Sequence, residues 1–256
     1  MFQLRLFDLT NRKAIVTGST RGLGLGMAEG LMEAGCEVVI VGSSSSAVSV
    51  AKGFSDKGYK CHGIKIDLGN REELENNFLK AVDMLGGKLD ILVNNAGVQR
   101  RHPCENFPME DWDYVIEINL NAVFRMCQLA GQQFIKQNSK GKIINIASML
   151  SFLGGNTVPA YAASKGAIAQ LTKALSNEWT SKNINVNAIA PGFMATELNT
   201  ALLNDEVRNK EIMDRIPAYR WGTPEDIKGL CIFLASDASD YMAGAIIPCD
   251  GGYLAK

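Results

Sequence analysis

The strongest constraint on this chain is a repeated unit: a short apolar run, a turn, then a helical pattern. Lys13–Thr17 (KAIVT) is the first such run, and it passes through glycine-rich residues into a helical pattern reaching Ala34. Glu37–Val41 repeats the run, and after a polar helical stretch Lys60–Ile66 forms a third. An amphipathic helix over Arg71–Leu85 precedes a fourth strand, Leu89–Val93, and one long helix is expected over Glu110–Gln137. Gly141 opens a fifth strand at Lys142–Ile146, a helix follows over Pro159–Thr180, and Ile184–Ile189 is the sixth strand. Strands alternating with helices in this way imply a parallel sheet buried between two helix layers. The alternation runs from residue 13 to at least residue 190 without linker, low-complexity tract or repeat, so residues 1–256 are expected to form a single α/β domain. The pattern breaks only at roughly residues 193–222, into polar, helix-prone sequence. Ligands of open α/β sheets bind beyond the carboxyl ends of the strands, so an insertion after strand six is placed to act as a substrate lid.

Composition narrows the function. A net charge of −1 and a pI near 6.2 leave no basic footprint for nucleic acid or an anionic membrane surface. The N-terminal MFQLRLFDLTNRK lacks a signal-peptide apolar core, and no run is long enough to span a bilayer. The six cysteines are scattered with no CxxC pair, so neither a disulfide framework nor a metal site is expected. Most of them read as small buried fillers in a reducing compartment, and the chain as a soluble cytoplasmic protein.

Thr17-Gly18-Ser19-Thr20-Arg21-Gly22-Leu23-Gly24 joins the first strand to the first helix. Glycines at Gly18, Gly22 and Gly24 permit a tight turn, let backbone N–H groups approach a pyrophosphate, and let helix pack on strand. The expected fold is therefore a Rossmann-type doubly wound parallel sheet, and the expected cofactor NAD or NADP. An acid ending strand two would bond the NAD ribose, and an arginine there would accept the NADP phosphate. Gly42 and Ser43 occupy that position. The absence of an acid at Gly42 and the presence of Arg21 in the loop tilt the reading towards NADP, without a strand-two arginine to fix it.

Tyr161 and Lys165 are four residues apart and share a helical face. A carbonyl accepting hydride develops alkoxide character and needs a proton, which a positioned tyrosine can supply. A nearby ammonium favours phenolate and is expected to lower the tyrosine pKa. Ser148, ending strand five, can donate to the developing oxyanion. The two histidines, His62 and His102, fall outside this set.

These motifs, in this order, resemble the short-chain dehydrogenase/reductase family along essentially the whole chain, down to Asp250-Gly251-Gly252. The resemblance implies that Asp67 and Leu68 flank the adenine and that Asn94-Asn95-Ala96-Gly97 supports the sheet and lines the cofactor cleft. It implies that Pro191, Gly192 and Thr196 contact the nicotinamide carboxamide, and that Asn119 joins Ser148, Tyr161 and Lys165 through a water-mediated proton path. It also implies a homotetramer built through the long helices. Several stretches, among them Val98-Gln99-Arg100-Arg101 and Asp214-Arg215-Ile216-Pro217-Ala218-Tyr219-Arg220-Trp221-Gly222, are similar to a sugar-acid branch of the family. That branch comprises the 2-dehydro-3-deoxy-D-gluconate 5-dehydrogenases, also described as 2-deoxy-D-gluconate 3-dehydrogenases; gluconate 5-dehydrogenases and 3-oxoacyl-carrier-protein reductases are alternatives. A sugar acid carries a carboxylate, which arginine grips bidentately. Of Arg100 and Arg101 one is expected to face the cleft and the other solvent. Met149, Ser151, Met194 and Trp221 read equally as pocket wall or as core. A cofactor-binding sensor without turnover is the reading from another class, and the intact Asn119, Ser148, Tyr161 and Lys165 set argues against it.

Overall fold

A computed structural model describes residues 5–256, so the first four residues of the N-terminal stretch lie outside the described residues. Seven strands form one sheet: β1 (Lys13–Thr17), β2 (Glu37–Gly42), β3 (Cys61–Lys65), β4 (Ile91–Asn94), β5 (Gly141–Ile146), β6 (Ile184–Pro191) and β7 (Ile246–Cys249). Their order is β3-β2-β1-β4-β5-β6-β7, every pair parallel. The chain steps outward from β1 to β3 and then returns to β4 on the other side of β1. Loops leaving β1 and β4 therefore part to opposite faces and open a crevice between them.

Both faces of the central strands are buried, which is why they read as continuous apolar runs rather than alternating ones. Along β1, Ala14 and Val16 pack on one layer with Met27 and Leu31 of α1 (Gly22–Glu33), together with Ile227 and Leu234 of α9 (Pro224–Ala235). Ile15 points the other way. It joins Phe78 of α3 (Arg71–Met84), Phe134 of α5 (Ala122–Gln137) and Ile168 of α6 (Pro159–Trp179). Each such fully buried aliphatic or aromatic side chain contributes about 1.5–3 kcal/mol relative to exposure. Helix ends are set locally. The Asn70 side chain accepts from Glu73 N to start α3, and Thr223 with Asp226 closes a capping box ahead of Pro224 at the start of α9.

Two features depart from the sequence reading. The helix expected over Glu110–Gln137 is divided into α4 (Met109–Ile116), a π-helical stretch (Glu117–Asn121) and α5, with Ala122 N bonded to Glu117 O. The apolar pattern continues across the break, so only the tertiary bonds of Asn119, described below, distinguish it. The seventh strand escapes sequence reading because it is four residues long and contains Pro248. Among the described residues it pairs only with β6, and proline is tolerated on such an edge strand.

Residues 193–222 hold a short turn (Glu197–Asn199), α7 (Thr200–Leu203) and α8 (Glu206–Arg215), closed at their base by a bridge between Met194 and Gly222. Ile212, Ile216 and Trp221 of this segment pack with Met149 and Tyr253 in a small separate core above the carboxyl edge of the sheet. Among the described residues no helix is long and apolar enough to cross a membrane, and all six cysteines are free. Cys36, Cys61, Cys127 and Cys231 are buried, whereas Cys104 is exposed.

Phe134 is fully buried, and its ring occupies the space that a side chain at Gly141 would need. Phe134→Ala is expected to cost about 3–5 kcal/mol of unfolding free energy. Urea denaturation followed by circular dichroism measures this, and a loss below about 1 kcal/mol would contradict the packing described.

Candidate active site

The loop after β1 is fixed by its neighbour after β4. Thr17 Oγ1 accepts from Asn95 N (3.0 Å) and Ala96 N (3.1 Å), while Asn95 Nδ2 donates to Thr17 O (3.0 Å) and Gly18 O (2.9 Å). This closeness is what demands glycine. Gly18 has φ +62°, and a Cβ there would lie 2.8 Å from Ala96 Cα. A Cβ on Gly24 would lie 2.3 Å from Gly18 O. Gly22, with φ +56°, opens α1, and Arg21 at the capping position supplies no side-chain acceptor to the first turn. The N–H groups of that turn form an anion-binding helix N-terminus.

From this loop a cleft of about 1190 Å³ runs along the carboxyl edge of the sheet. Asp67, Leu68 and Ser43, after β3 and β2, line one end, and Arg21, Gly22, Leu23, Gly24, Asn95, Ala96 and Gly97, after β1 and β4, its middle. Ser148, Tyr161 and Lys165 line the other end with Pro191 and Gly192, and Thr196 stands beside Gly22. The bare glycine backbone, the open helix N-terminus and this length fit a nicotinamide dinucleotide. At the strand-two end, the Thr20 methyl fills the space beside Gly42, 2.6 Å from where a Cβ would be. Ser43, Ser44 and Ser46 form the lip there, and Arg21 Nε lies 3.2 Å from Glu197 Oε2, both side chains being about three-quarters exposed.

At the far end, Ser148 caps a short turn (Met149–Ser151), its Oγ accepting from Leu150 N at 3.1 Å. Ser151, which does not line the cleft, ties this turn to α6. Its hydroxyl accepts from Ser148 N (3.3 Å) and donates to Lys165 O (2.6 Å). Lys165 Nζ lies 5.6 Å from the Tyr161 ring centre and donates to Ile146 O at 2.6 Å. Burial lowers the Lys165 ammonium from 10.5 to about 8. Burial also pushes the Tyr161 phenol up, and the Ser148 hydroxyl beside it partly offsets this. The expected lowering of the tyrosine pKa by Lys165 is therefore corrected: the ammonium sits over the ring, bonded to a backbone carbonyl, and desolvation dominates.

Asn119, fully buried in the π-helical stretch, accepts from Val98 N (2.8 Å) and donates to Val98 O (2.9 Å) and Ser164 Oγ (3.1 Å). It thereby joins the loop after β4 to α6. Ser164 was not singled out from sequence; its place one residue before Lys165 was the available signal.

A family model described as enoyl-(acyl carrier protein) reductase matches residues 18–254. The chain is 49% identical over 253 residues to a 2-dehydro-3-deoxy-D-gluconate 5-dehydrogenase of Dickeya dadantii, covering 99% of both proteins. It is 47% identical to the Escherichia coli protein of that name, again over 99% of each. The structure of a gluconate 5-dehydrogenase from Burkholderia cenocepacia in complex with NADP and tartrate superposes with a TM-score of 0.95, at 39% identity and 99% coverage of both chains. This chain belongs to the short-chain dehydrogenase/reductase family.

Within that family frame, the two arginines after β4 separate. Arg101 lines the cleft, its Nη1 donating to Asn156 O (3.2 Å) and Thr157 Oγ1 (3.1 Å). Arg100 does not reach it and is corrected as a substrate residue: its Nε bonds Asp111 Oδ1 at 3.1 Å and its guanidinium stacks 4.8 Å from the Tyr114 ring centre. His102 bonds the other oxygen of Asp111, and His62 bonds Glu37. Met149 and Met194 line the cleft, whereas Trp221 belongs to the small core formed with Ile212, Ile216 and Tyr253. Sequence reasoning missed Arg208, Glu211 and Arg215 of α8, which also line it; their helical spacing was the signal.

Gly24→Ala is expected to weaken NADPH binding at least tenfold in a fluorescence titration, because a Cβ would force the loop from Asn95; unchanged affinity would contradict the geometry. Lys165 gives a pH signature. Its folded-state pKa lies below the unfolded one, so the unfolded chain binds more protons between about pH 8 and 10.5 and stability rises with pH there. Lys165→Met is expected to be more stable than the parent at pH 7, with the gap narrowing as pH rises through that window. Denaturation at several pH values checks this, and a constant gap would refute it.

Proposed function

We propose that this enzyme interconverts a keto sugar acid and its hydroxy form with a nicotinamide cofactor, acting as a 2-dehydro-3-deoxy-D-gluconate 5-dehydrogenase. The observation that carries the reading is one continuous cleft with Asp67 and Leu68 at one end, the glycine loop in the middle and Ser148, Tyr161 and Lys165 at the other end. Gly18, Gly22, Leu23 and Gly24 would hold the pyrophosphate, Asp67 and Leu68 the adenine, and Lys165, Pro191, Gly192 and Thr196 the nicotinamide riboside. When bound, NAD(P) supplies or accepts the hydride. Ser148 Oγ accepts from Leu150 N, which leaves its own proton available to a substrate oxygen beside Tyr161. Tyr161 gives its phenolic proton to that oxygen as alkoxide character develops, and takes it back in the oxidative direction. Lys165 holds positive charge against the resulting phenolate and restores its proton, and Asn119 fixes the helix that carries both.

Identity is higher to the two 2-dehydro-3-deoxy-D-gluconate 5-dehydrogenases, at 49% and 47%, than to the gluconate 5-dehydrogenase of known structure, at 39%. The polar rim of Gln99 and Arg101 suits a sugar acid better than an acyl chain. For the cofactor we favour NADP: no acid can occupy position 42 without moving Thr20, and Arg21 is free to exchange Glu197 for a phosphate. An exposed ion pair of that kind contributes only about 0–1 kcal/mol. We further propose a cytoplasmic homotetramer associating through α4, α5 and α6, where Met109, Phe124 and Ile135 are exposed.

Absorbance at 340 nm with 2-dehydro-3-deoxy-D-gluconate and with gluconate, each with NAD and NADP, tests substrate and cofactor together. Binding without turnover across a panel of keto sugar acids would instead favour a cofactor-binding sensor. Tyr161→Phe is expected to lower kcat by at least 100-fold with cofactor affinity unchanged; retained activity would sink the mechanism.

A further inference from the structure

We infer that Arg208 of the lid segment and Arg101 of the loop after β4 are the two jaws of a clamp for the substrate carboxylate. The inference rests on the sugar-acid reading above and assigns the group that reads the acid. Arg208, Glu211, Ile212 and Arg215 stand at i, i+3, i+4 and i+7 of α8, so they share one face, and all four line the cleft. Ile212, 7% exposed, pins that face against Met149 and Tyr253. Arg215 is engaged in stacking, its guanidinium 4.4 Å from the Tyr253 ring centre. Among the described residues the Arg208 guanidinium has one carboxylate within ion-pair distance, that of Glu211 at 3.7 Å, which is exposed to solvent.

Arg101 is held rather than neutralised. Its two hydrogen bonds both use Nη1 and both go to uncharged oxygens, and among the described residues it has no carboxylate partner. Its neighbours fix the loop: His102 N donates to Thr157 O at 3.0 Å, and Asp111 takes both Arg100 and His102. Arg101 and Arg208 line the same cleft, and burial, with the charge of Arg208 second, pushes the Arg101 pKa down. An anion completes such an arrangement, and paired guanidinium forks match a carboxylate. The site belongs to the substrate rather than to the cofactor phosphate. Asn156 and Thr157, which hold Arg101, lie between the Ser148 turn and α6, at the catalytic end of the cleft. Because Arg208 rides on the lid segment and Arg101 on the sheet side, the carboxylate draws the two together, and acid recognition becomes lid closure.

The test is calorimetric titration of the NADP-loaded enzyme with D-gluconate and, as a neutral polyol of the same length, D-glucitol, for the parent, Arg208→Ala and Arg208→Lys. Removing a charged hydrogen-bond partner is expected to raise the gluconate Kd on the order of 10- to 100-fold in Arg208→Ala. Arg208→Lys, which keeps the charge but not the fork, is expected to fall between, with glucitol and NADP affinities unchanged. Turnover of 2-dehydro-3-deoxy-D-gluconate by Arg208→Ala is expected to show a raised KM and a kcat within about threefold of the parent. A gluconate Kd within twofold of the parent, or an equal loss for glucitol, overturns the clamp while leaving the sugar-acid reading intact. A parent enzyme that neither binds gluconate nor turns over the keto acid overturns that reading and the clamp with it.

Discussion

Four hydrogen bonds between Thr17-Gly18 and Asn95-Ala96 carry the rest of the site. The strands β1 and β4 pair only as far as Val16 and Val93; beyond that the chains part and no ladder holds them. The Thr17 hydroxyl and the Asn95 amide take over where the ladder stops. They keep the crevice edges at one separation while leaving the backbone of the glycine loop bare towards the cleft. A Cβ on Gly18 or Gly24 would displace one loop from the other, so these glycines are consequences of the clamp as much as of the ligand.

The catalytic end is built on the same logic with longer reach. Asn119 bonds both backbone groups of Val98 and the Ser164 hydroxyl, which in turn donates to Tyr161 O at 2.8 Å. Ser151 bonds the turn carrying Ser148 to the backbone of Lys165. The three candidate catalytic groups thus come from two elements that are cross-braced before any ligand contact is made. Low dielectric around Lys165 makes its charge costly in the free protein and effective against a developing phenolate, two sides of one burial.

Much of this was legible in the sequence, because burial on both faces leaves a simple signature. Six strands show as apolar runs, and the order of the glycine loop, Ser148, Tyr161 and Lys165 follows from the chain passing along one sheet edge. The seventh strand lacks that signature: it is short, half-exposed and interrupted by Pro248. The division of the long helix lies in what Asn119 bonds, and that partner, Val98, is twenty-one residues away. Adjacent arginines cannot be told apart by spacing. Asp111 withdraws Arg100 from the cleft, and Asn156 and Thr157 retain Arg101 in it. The basic face of α8 was hidden in a segment read only as polar, since its single apolar anchor, Ile212, makes no stripe.

The π-helical stretch has a consequence for phase. Each residue of an α-helix advances the azimuth by about 100°, so closing a turn with one surplus residue shifts the frame downstream by that angle. α4 and α5 lie end to end yet are out of step by one position, as two gear wheels on a common shaft can be keyed at different angles. The wide turn takes up that residue, so the buried stripe of α5 stays on the sheet while Asn119 reaches Val98 and Ser164. Deleting one residue of Glu117–Asn121 would remove that surplus and let α4 run into α5 as one regular α-helix with its apolar side still on the sheet, so the loss would fall on the bonds of Asn119.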